Sequence, residues 1–284
     1  MASDGSITGW QPNPEAENLE SLDSDYYTRN LGALRQEEIR VYYANLPGLV
    51  VDGKPITPEF NENLHVSGEV KLLADQPLRI GLDMGGGTLN PAAVFFQRHP
   101  RGTIVVHDEI LASDMGIEQF GREIKAKLSE RFPEHLRSLE SGHRPNGDEP
   151  ILAWADPAAQ KRDELYEQVV ADHLARSVGF KVLAAPTQDP KLRIDALRAP
   201  MLRLIDGKPG LLVHPRCRQL IKGLNGGYHY KRMGVAGAEK YHDKPEKNEA
   251  SHVCESAGYG FLGSGELRTL QAPAATARRA GRAP

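Results

Sequence analysis

The sequence has little cysteine, no long apolar run and no feature of a secretory leader. Its two cysteines, Cys217 and Cys254, lie far apart and outside any CxxC pattern, which argues against a disulfide framework or a zinc site. Reduced thiols of this kind are typical of cytosolic proteins. No apolar stretch reaches the roughly 18 residues of a membrane span, so we expect no transmembrane helix. The opening residues MASDGSITGW lack a basic start and an apolar core, so we expect no signal peptide.

The composition indicates a globular protein whose charge is unevenly distributed. The 284 residues leave room for one domain of about 200 residues plus appendages. Residues 1–62 hold 11 Asp and Glu against 4 Lys and Arg, whereas residues 191–247 hold 13 Lys and Arg against 5 Asp and Glu. A basic block inside an acidic protein favours a local surface for a polyanion such as nucleic acid. The alternative is an ordinary solvated face.

The chain is organised around residues 78–110, which read as three strands separated by a glycine loop and a tight turn. The first apolar run ends on Asp83 and is followed by Met84-Gly85-Gly86-Gly87-Thr88. A carboxylate at the end of a buried strand is costly unless a cation or a donor compensates its charge. We therefore interpret Asp83 as a metal ligand; the alternative is an Asp that caps the following turn.

Further along the chain, strands alternate with helices. A fourth apolar strand, residues 150–155, ends on Asp156, and a fifth covers residues 181–185. Helical spacing predicts helices over residues 114–132, 163–177, 189–204 and 250–262, and residues 138–148 read as a loop. This order predicts an α/β protein with a ribonuclease H-like fold, in which helices flank a mixed central sheet.

Three carboxylates are the candidate catalytic and metal-binding residues. Asp83 and Asp156 follow strands that would be neighbours in such a sheet, and the last helix supplies Glu255, with His252 one turn earlier on the same face. Oxygen ligands favour Mg²⁺ or Mn²⁺, and such a site can hold two ions about 3.5–4 Å apart. Two alternatives stay open: Asp108 or Glu109 could replace Asp156, and Asp243 could approach the site together with His242.

Cations and tyrosines alternate within the basic block, a pattern that suits phosphate contacts and base stacking. A plain hairpin with packed tyrosines is the alternative. The candidate DNA-binding residues are Lys222, Tyr228, Tyr230, Lys231 and Arg232.

Several motifs resemble the nuclease domain of tailed-phage or prophage terminase large subunits. The matching stretches are Val51-Asp52-Gly53-Lys54-Pro55, residues 81–97, His107-Asp108-Glu109-Ile110, Ala155-Asp156-Pro157-Ala158, Asp243-Lys244-Pro245 and Ser251-His252-Val253. The resemblance covers about residues 40–263. It implies a metal-dependent endonuclease that cuts concatemeric double-stranded DNA during viral genome packaging, with Asp83, Asp156 and Glu255 as metal ligands. It also implies a portal protein and a small terminase subunit as partners, and action in the bacterial host cytoplasm rather than in the mature virion.

The sequence departs from this family pattern in two ways. Glu255 stands where the family usually has Asp, and Gly258 and Gly260 weaken the last helix by up to about 1 kcal/mol each, so we expect less efficient cleavage. No GxxxxGK[ST] motif is present, although the family's large subunits begin with an ATPase motor. We therefore expect a linker remnant over residues 1–62, a nuclease domain over residues 63–263 and a disordered basic tail over residues 264–284.

Two other functions are open at this stage. The loop from Asp83 to Thr88 also resembles the phosphate loop of actin-like and sugar-kinase ATPases, and residues 223–227 would then imitate their adenosine loop. The other possibility is a catalytically inactive remnant that binds DNA or the portal.

Overall fold

The computed structural model describes residues 53–85, 90–160, 170–233 and 240–267. The chain divides into two units, residues 1–52 and 53–284, and every described residue belongs to the second. The predicted linker remnant and basic tail fall largely outside the described residues. Within the described ranges, no helix is both long enough and apolar enough to cross a bilayer.

The central strands and the helices between them follow one another in the predicted order, and the chain also contains short elements that were not predicted. In chain order the described elements are β1 (Gly53–Pro55), α1 (Glu62–His65), β2 (Leu78–Asp83), β3 (Ala92–Arg98), β4 (Ile104–Leu111), α2 (Ile117–Arg131), α3 (Pro133–Ser141), β5 (Ile151–Ala155), α4 (Val170–Val178), β6 (Val182–Ala184), α5 (Pro190–Arg198), β7 (Leu204–Ile205), β8 (Lys208–Pro209), β9 (Leu211–Val213), α6 (Arg218–Lys222), β10 (His229–Met233), β11 (Lys240–Pro245) and α7 (Glu249–Gly263).

The central sheet has six strands in the order β6-β5-β2-β3-β4-β9. β3 pairs antiparallel with β2 on one side and with β4 on the other, whereas β5 pairs with β2 in parallel. β6 and β9 extend the two edges with parallel pairs. Three antiparallel strands, continued in parallel beside the first of them, form the strand arrangement of the ribonuclease H-like fold. The predicted fold class is therefore confirmed.

Both faces of the sheet are covered by apolar helix faces, which explains why its central strands are apolar on both sides. On one face, side chains of β3 and β4 pack with Ile194 of α5 and with Val253 and Phe261 of α7. On the other face, side chains of β2 and β3 pack with Phe120 of α2 and Leu174 of α4. The strand ends between these two layers are where the candidate acids lie.

Helix α7 begins at a defined point because its first turn is capped. Asn248 accepts a hydrogen bond from the Ser251 backbone N–H at 2.9 Å, and the Ser251 hydroxyl accepts one from the Asn248 N–H at 3.1 Å. Such a capping box satisfies two backbone donors that a helix otherwise leaves unpaired. It fixes where His252 and the residues after it emerge on the helix surface.

The structure differs from the sequence prediction at several elements. Residues 133–141 form α3, part of which was predicted as a loop, and α5 ends at Arg198 instead of continuing to residue 204. Residues 223–227 form a π-helical turn packed against α7, and this turn is largely buried. β4 continues to Leu111, so Asp108 and Glu109 lie inside that strand, whereas the sequence placed them at its end.

A buried histidine of β4 links the stability of the fold to pH. His107 lies edge-on to the Phe132 ring and is almost fully buried. Burial, reinforced by the neighbouring His99, His135 and His214, lowers the pKa of His107 to about 3. The folded state therefore keeps His107 neutral at pH values where the unfolded chain, with a pKa of about 6.5, binds a proton.

We predict that acid destabilises the protein partly through His107. Below pH 6.5 the unfolded state binds more protons than the folded state, so the free energy of unfolding falls by up to about 1.4 kcal/mol per pH unit from this group. His107→Leu should make the unfolding free energy less dependent on pH between about pH 6 and 4, as urea titrations would measure. The exposed His143→Leu is the matched control, and an equal change in both variants would contradict the prediction.

Candidate active site

Two aspartates lie at the carboxyl ends of two neighbouring strands of the central sheet. Asp83 is the last residue of β2, and Asp156 directly follows β5. The parallel register pairs Leu82 with Ala155, so the two aspartates are the next residues on neighbouring strands. Neighbouring strands are about 4.8 Å apart, so the backbones of the two aspartates lie next to each other. The predicted proximity of the first two acids agrees with this register.

The Asp83 carboxylate is oriented by one backbone donor and one histidine. Its Oδ1 accepts a hydrogen bond from the Gly85 N–H at 3.0 Å. Its Oδ2 lies 2.9 Å from Nδ1 of His252, and that ring nitrogen donates because a carboxylate can only accept. His252 is in the first turns of α7 and is buried. The sequence named His252 as an additional candidate, and the structure places it directly on Asp83.

The Asp156 carboxylate is oriented by three donors. Its Oδ1 accepts hydrogen bonds from the Ala158 N–H at 2.8 Å and from the Gln188 side-chain amide at 3.1 Å. Its Oδ2 accepts one from the Tyr259 hydroxyl at 2.7 Å. Tyr259 is on α7, the helix that also supplies His252. One helix therefore orients both aspartates.

Glu255 lies on the same helix, but its carboxylate is already paired with cations. The residue is only 3% exposed. Its Oε1 is 3.1 Å from a guanidinium nitrogen of Arg193 and accepts a 3.3 Å hydrogen bond from the Tyr228 hydroxyl. Its Oε2 pairs with the Lys247 ammonium. The predicted role of Glu255 as a third metal ligand stays a prediction, and in this structure its described partners are Arg193, Tyr228 and Lys247.

The alternative acids have structural partners of their own. Asp108 is 5% exposed and lies 2.9 Å from Lys127, 3.4 Å from Arg131 and 3.7 Å from Arg216. Glu109 accepts hydrogen bonds from the Gln219 and Leu220 backbone N–H groups at 2.7 and 2.8 Å, at the start of α6. Burial raises the pKa of Glu109, and these two hydrogen bonds oppose the shift. Asp108 therefore joins β4 to α2, and Glu109 joins it to α6.

The candidate DNA-binding residues divide into exposed and buried members. Lys222, Lys231 and Arg232 are exposed, and Tyr230 is partly buried. Lys231 pairs with Glu246 at 3.2 Å. Tyr228 is only 1% exposed, so its ring belongs to the core and does not lie on a surface where a base could stack. Asp243 is exposed in β11, where it lines an open cavity of about 430 Å³ together with His242.

Three residues of the site were not predicted from the sequence. Tyr259 follows Glu255 by four residues, so helical spacing alone could have placed it on the same face of α7. Gln188 and Arg193 come from a loop and from α5, far along the chain from Asp156 and Glu255. Only the tertiary fold brings these residues together, and no local pattern indicates it.

Two aspartates fit a hard divalent cation in their chemistry. Each oxygen of Asp83 accepts one of the described hydrogen bonds and keeps a second lone pair for a cation. Carboxylate oxygens are the ligands that Mg²⁺ and Mn²⁺ prefer. Over the described ranges, however, no group of three or more His, Cys, Asp or Glu is arranged to hold a metal ion. The chemistry of Asp83 and Asp156 therefore fits a divalent cation, and the role of Glu255 as a third ligand stays a prediction.

Solved structures similar to this chain include phage terminase nucleases. The nuclease domain of the large terminase g2p from bacteriophage SPP1, solved with bound Mn, is 18% identical with a TM-score of 0.43 and covers 70% of this chain and 96% of that domain. The P22 large terminase nuclease domain is 14% identical with a TM-score of 0.49, covering 76% of this chain and 92% of that one. The chain is similar in structure to terminase nuclease domains.

The large terminase of bacteriophage HK97 is a longer protein. It is 15% identical with a TM-score of 0.39, and the match covers 82% of this chain but 48% of the HK97 protein. The chain thus spans about half the length of that terminase. No model of a known protein family matches the chain, and no curated protein matches it.

We predict that the Tyr259 hydroxyl contributes to stability as well as to the position of Asp156. Tyr259→Phe removes the partner of both Asp156 and Arg193, and buried hydrogen bonds to charged groups contribute about 1.5–3 kcal/mol each. The free energy of unfolding, measured by urea titration, should fall by at least about 1.5 kcal/mol. Tyr228→Phe, which removes the longer 3.3 Å bond to Glu255 and a hydrogen bond with Arg193, is the control and should cost less, because Glu255 and Arg193 keep each other as partners. Equal losses would contradict the prediction.

Proposed function

We propose that this chain is a metal-dependent endonuclease that cuts double-stranded DNA during viral genome packaging. The observation that supports it best is the pair of aspartates, Asp83 and Asp156, held on neighbouring parallel strands of a ribonuclease H-like sheet. The choice of double-stranded DNA as the substrate and of genome packaging as the process rests on the resemblance of the sequence motifs to terminase nucleases. By the same resemblance, a portal protein and a small terminase subunit are its partners and the bacterial host cytoplasm is its place of action.

The described residues prepare the two aspartates for a cation in distinct ways. His252 and the Gly85 N–H fix the two oxygens of Asp83, and Tyr259, Gln188 and the Ala158 N–H fix those of Asp156. Carboxylates held in this way need no reorganisation when a cation binds, which is the general benefit of a preorganised site. Asp83 and Asp156 would hold Mg²⁺ or Mn²⁺. When bound, such an ion supplies Lewis-acid activation of the phosphodiester and of the attacking water.

The β10–β11 hairpin is the proposed contact surface for DNA. It carries Lys231, Arg232, Lys240 and Lys244, all exposed, and Lys222 of α6 lies beside it in the sequence. β10 is tied to the domain through β1, which pairs with it in antiparallel register. Lysines and arginines on such a hairpin bind phosphates, and phosphate contacts position a duplex without reading its sequence. We therefore expect cleavage with little sequence preference.

The first test is cleavage of supercoiled plasmid with Mg²⁺, Mn²⁺ or EDTA and without ATP. We expect nicking with either metal and none with EDTA. Asp83→Asn and Asp156→Asn keep the side-chain shape but remove ligand charge, and each should lower the rate by more than about 100-fold, since loss of even outer-shell partners costs about 10–100-fold. Asp108→Asn is the control and should be mild once circular dichroism shows that it is folded. If Asp108→Asn abolishes cleavage, the second ligand is misassigned.

The second test addresses the DNA surface through the salt dependence of binding. Neutralising Lys222, Lys231 and Arg232 together should weaken binding equally for all sequences. It should also reduce the slope of log K against log salt by about 0.9 for each lost phosphate contact. Neutralising the exposed Arg122, Lys125 and Arg137 of α2 and α3 changes the net charge equally and is the matched control. The same change in slope for both triples would mean that the hairpin is not the contact surface.

A further inference from the structure

The buried guanidinium of Arg193 contacts both Glu255 and Tyr259, the residue that binds Asp156. Arg193 of α5 is 7% exposed, and one of its terminal nitrogens is 3.1 Å from Glu255. Its other terminal nitrogen donates to the Tyr259 hydroxyl at 2.6 Å, and the guanidinium carbon lies 4.8 Å from the centroid of the Tyr259 ring. Arg193 is thus bound on one side by a carboxylate and on the other by an aromatic ring and its hydroxyl.

The contacts of Arg193 continue to Asp156. The Tyr259 hydroxyl accepts from Arg193 and donates to Asp156 Oδ2 at 2.7 Å, which is consistent with one hydroxyl hydrogen and two lone pairs. Glu255, Arg193, Tyr259 and Asp156 therefore form one continuous chain of polar contacts. A fixed positive charge lies within this chain, because an arginine side chain remains protonated in proteins.

The charge of Glu255 is compensated without any ion from solution. Arg193 and Lys247 both pair with its carboxylate, and the Tyr228 hydroxyl donates to it as well. Burial lowers the pKa of Arg193 and Glu255 raises it, and the balance is a raised pKa. A divalent ion at Glu255 would have to displace or repel a guanidinium that nothing in the physiological pH range can neutralise.

The neighbouring helix is shaped to accommodate this arginine. A Cβ atom on Gly258 of α7 would lie 2.7 Å from Cγ of Arg193, which is closer than such atoms approach one another. Gly258 therefore leaves the space in which the Arg193 side chain runs between α5 and α7. A glycine that opens this space at the cost of helix propensity indicates a built site for the arginine.

We propose that Arg193 supplies at Glu255 the positive charge that a second divalent ion would otherwise supply, so that the site holds a single ion, between Asp83 and Asp156. This inference rests on the proposed function. The sequence analysis describes a site that can hold two ions, whereas here one ion and the guanidinium of Arg193 supply the positive charge. Arg193 acts here as a positioning residue, because it reaches Asp156 only through Tyr259. Glu255 becomes the anchor of Arg193 and has no role as a metal ligand.

The test is the number of Mn²⁺ ions bound by the full chain, measured by isothermal titration calorimetry and by electron paramagnetic resonance. The unaltered protein and Glu255→Gln should each bind one ion, without measurable loss of affinity in the variant. Asp83→Asn and Asp156→Asn should weaken binding by at least about tenfold, as expected for ligands when outer-shell partners alone cost that much. Two ions in the unaltered protein, or lost binding in Glu255→Gln, would overturn the inference and leave a metal-dependent nuclease in place.

Removing the guanidinium gives the complementary experiment. Arg193→Met keeps much of the side-chain length but removes the buried cation from Glu255 and leaves the exposed Lys247 as its one described cation partner, which an ion can displace. A folded variant should therefore bind a second Mn²⁺. Arg198→Met is the matched control, because Arg198 is on the same helix and pairs with Glu59, and it should bind one ion. One ion in a folded Arg193→Met would contradict the inference, and if that variant does not fold, the number of ions bound by the unaltered protein decides. No bound ion in the unaltered protein would overturn both this inference and the proposed function.

Discussion

The close packing of α7 on β2 is the constraint on which the candidate site depends. A Cβ on Gly81 of β2 would overlap the Ser256 carbonyl oxygen, and a Cβ on Gly260 would lie 2.8 Å from the Gly81 Cα. The Ser256 hydroxyl also donates to the Gly81 carbonyl at 2.7 Å. Helix and strand therefore meet backbone to backbone, which restricts the height and the rotation of the helix over the sheet. That rotation places His252 on Asp83 and Tyr259 on Asp156.

The same packing explains why the last helix is rich in glycine. From the sequence, Gly258 and Gly260 were interpreted as weakening the helix, and their cost in helix propensity is real. In the structure, Gly260 permits the contact with β2 and Gly258 leaves room for Arg193. Burial of the apolar face of α7 against β3 and α5 offsets the propensity that these glycines lose. The glycines therefore provide no argument that the site has degenerated.

The sequence predicted features that depend on residues close together in the chain and missed those that depend on contacts between distant residues. Local apolar patterns predict the succession of the central strands along the chain and the helix that carries His252. They also place Asp83 and Asp156 at strand ends. The roles of Asp108 and Glu109 did not follow, because β4 continues past them and their partners come from α2 and α6. Tyr228 was predicted to lie on a DNA-binding surface, but the sequence does not show whether a tyrosine is buried, and this one is. Arg193 gave no local signal at all.

The pairing of Glu255 also gives a physical reason for a glutamate at this position, where the sequence resemblance led us to expect an aspartate. An Asp side chain is shorter by one carbon–carbon bond, about 1.5 Å, and from the same helix position it would not reach both Arg193 and Lys247 as Glu255 does. Removing one partner of a buried ion pair costs about 3–5 kcal/mol, so the loss of either Glu255 or Arg193 alone destabilises the domain. Glutamate, arginine and the glycine that accommodates the arginine thus form one interdependent unit. A site that lost its acid by decay would not be expected to keep the two residues that fit the replacement.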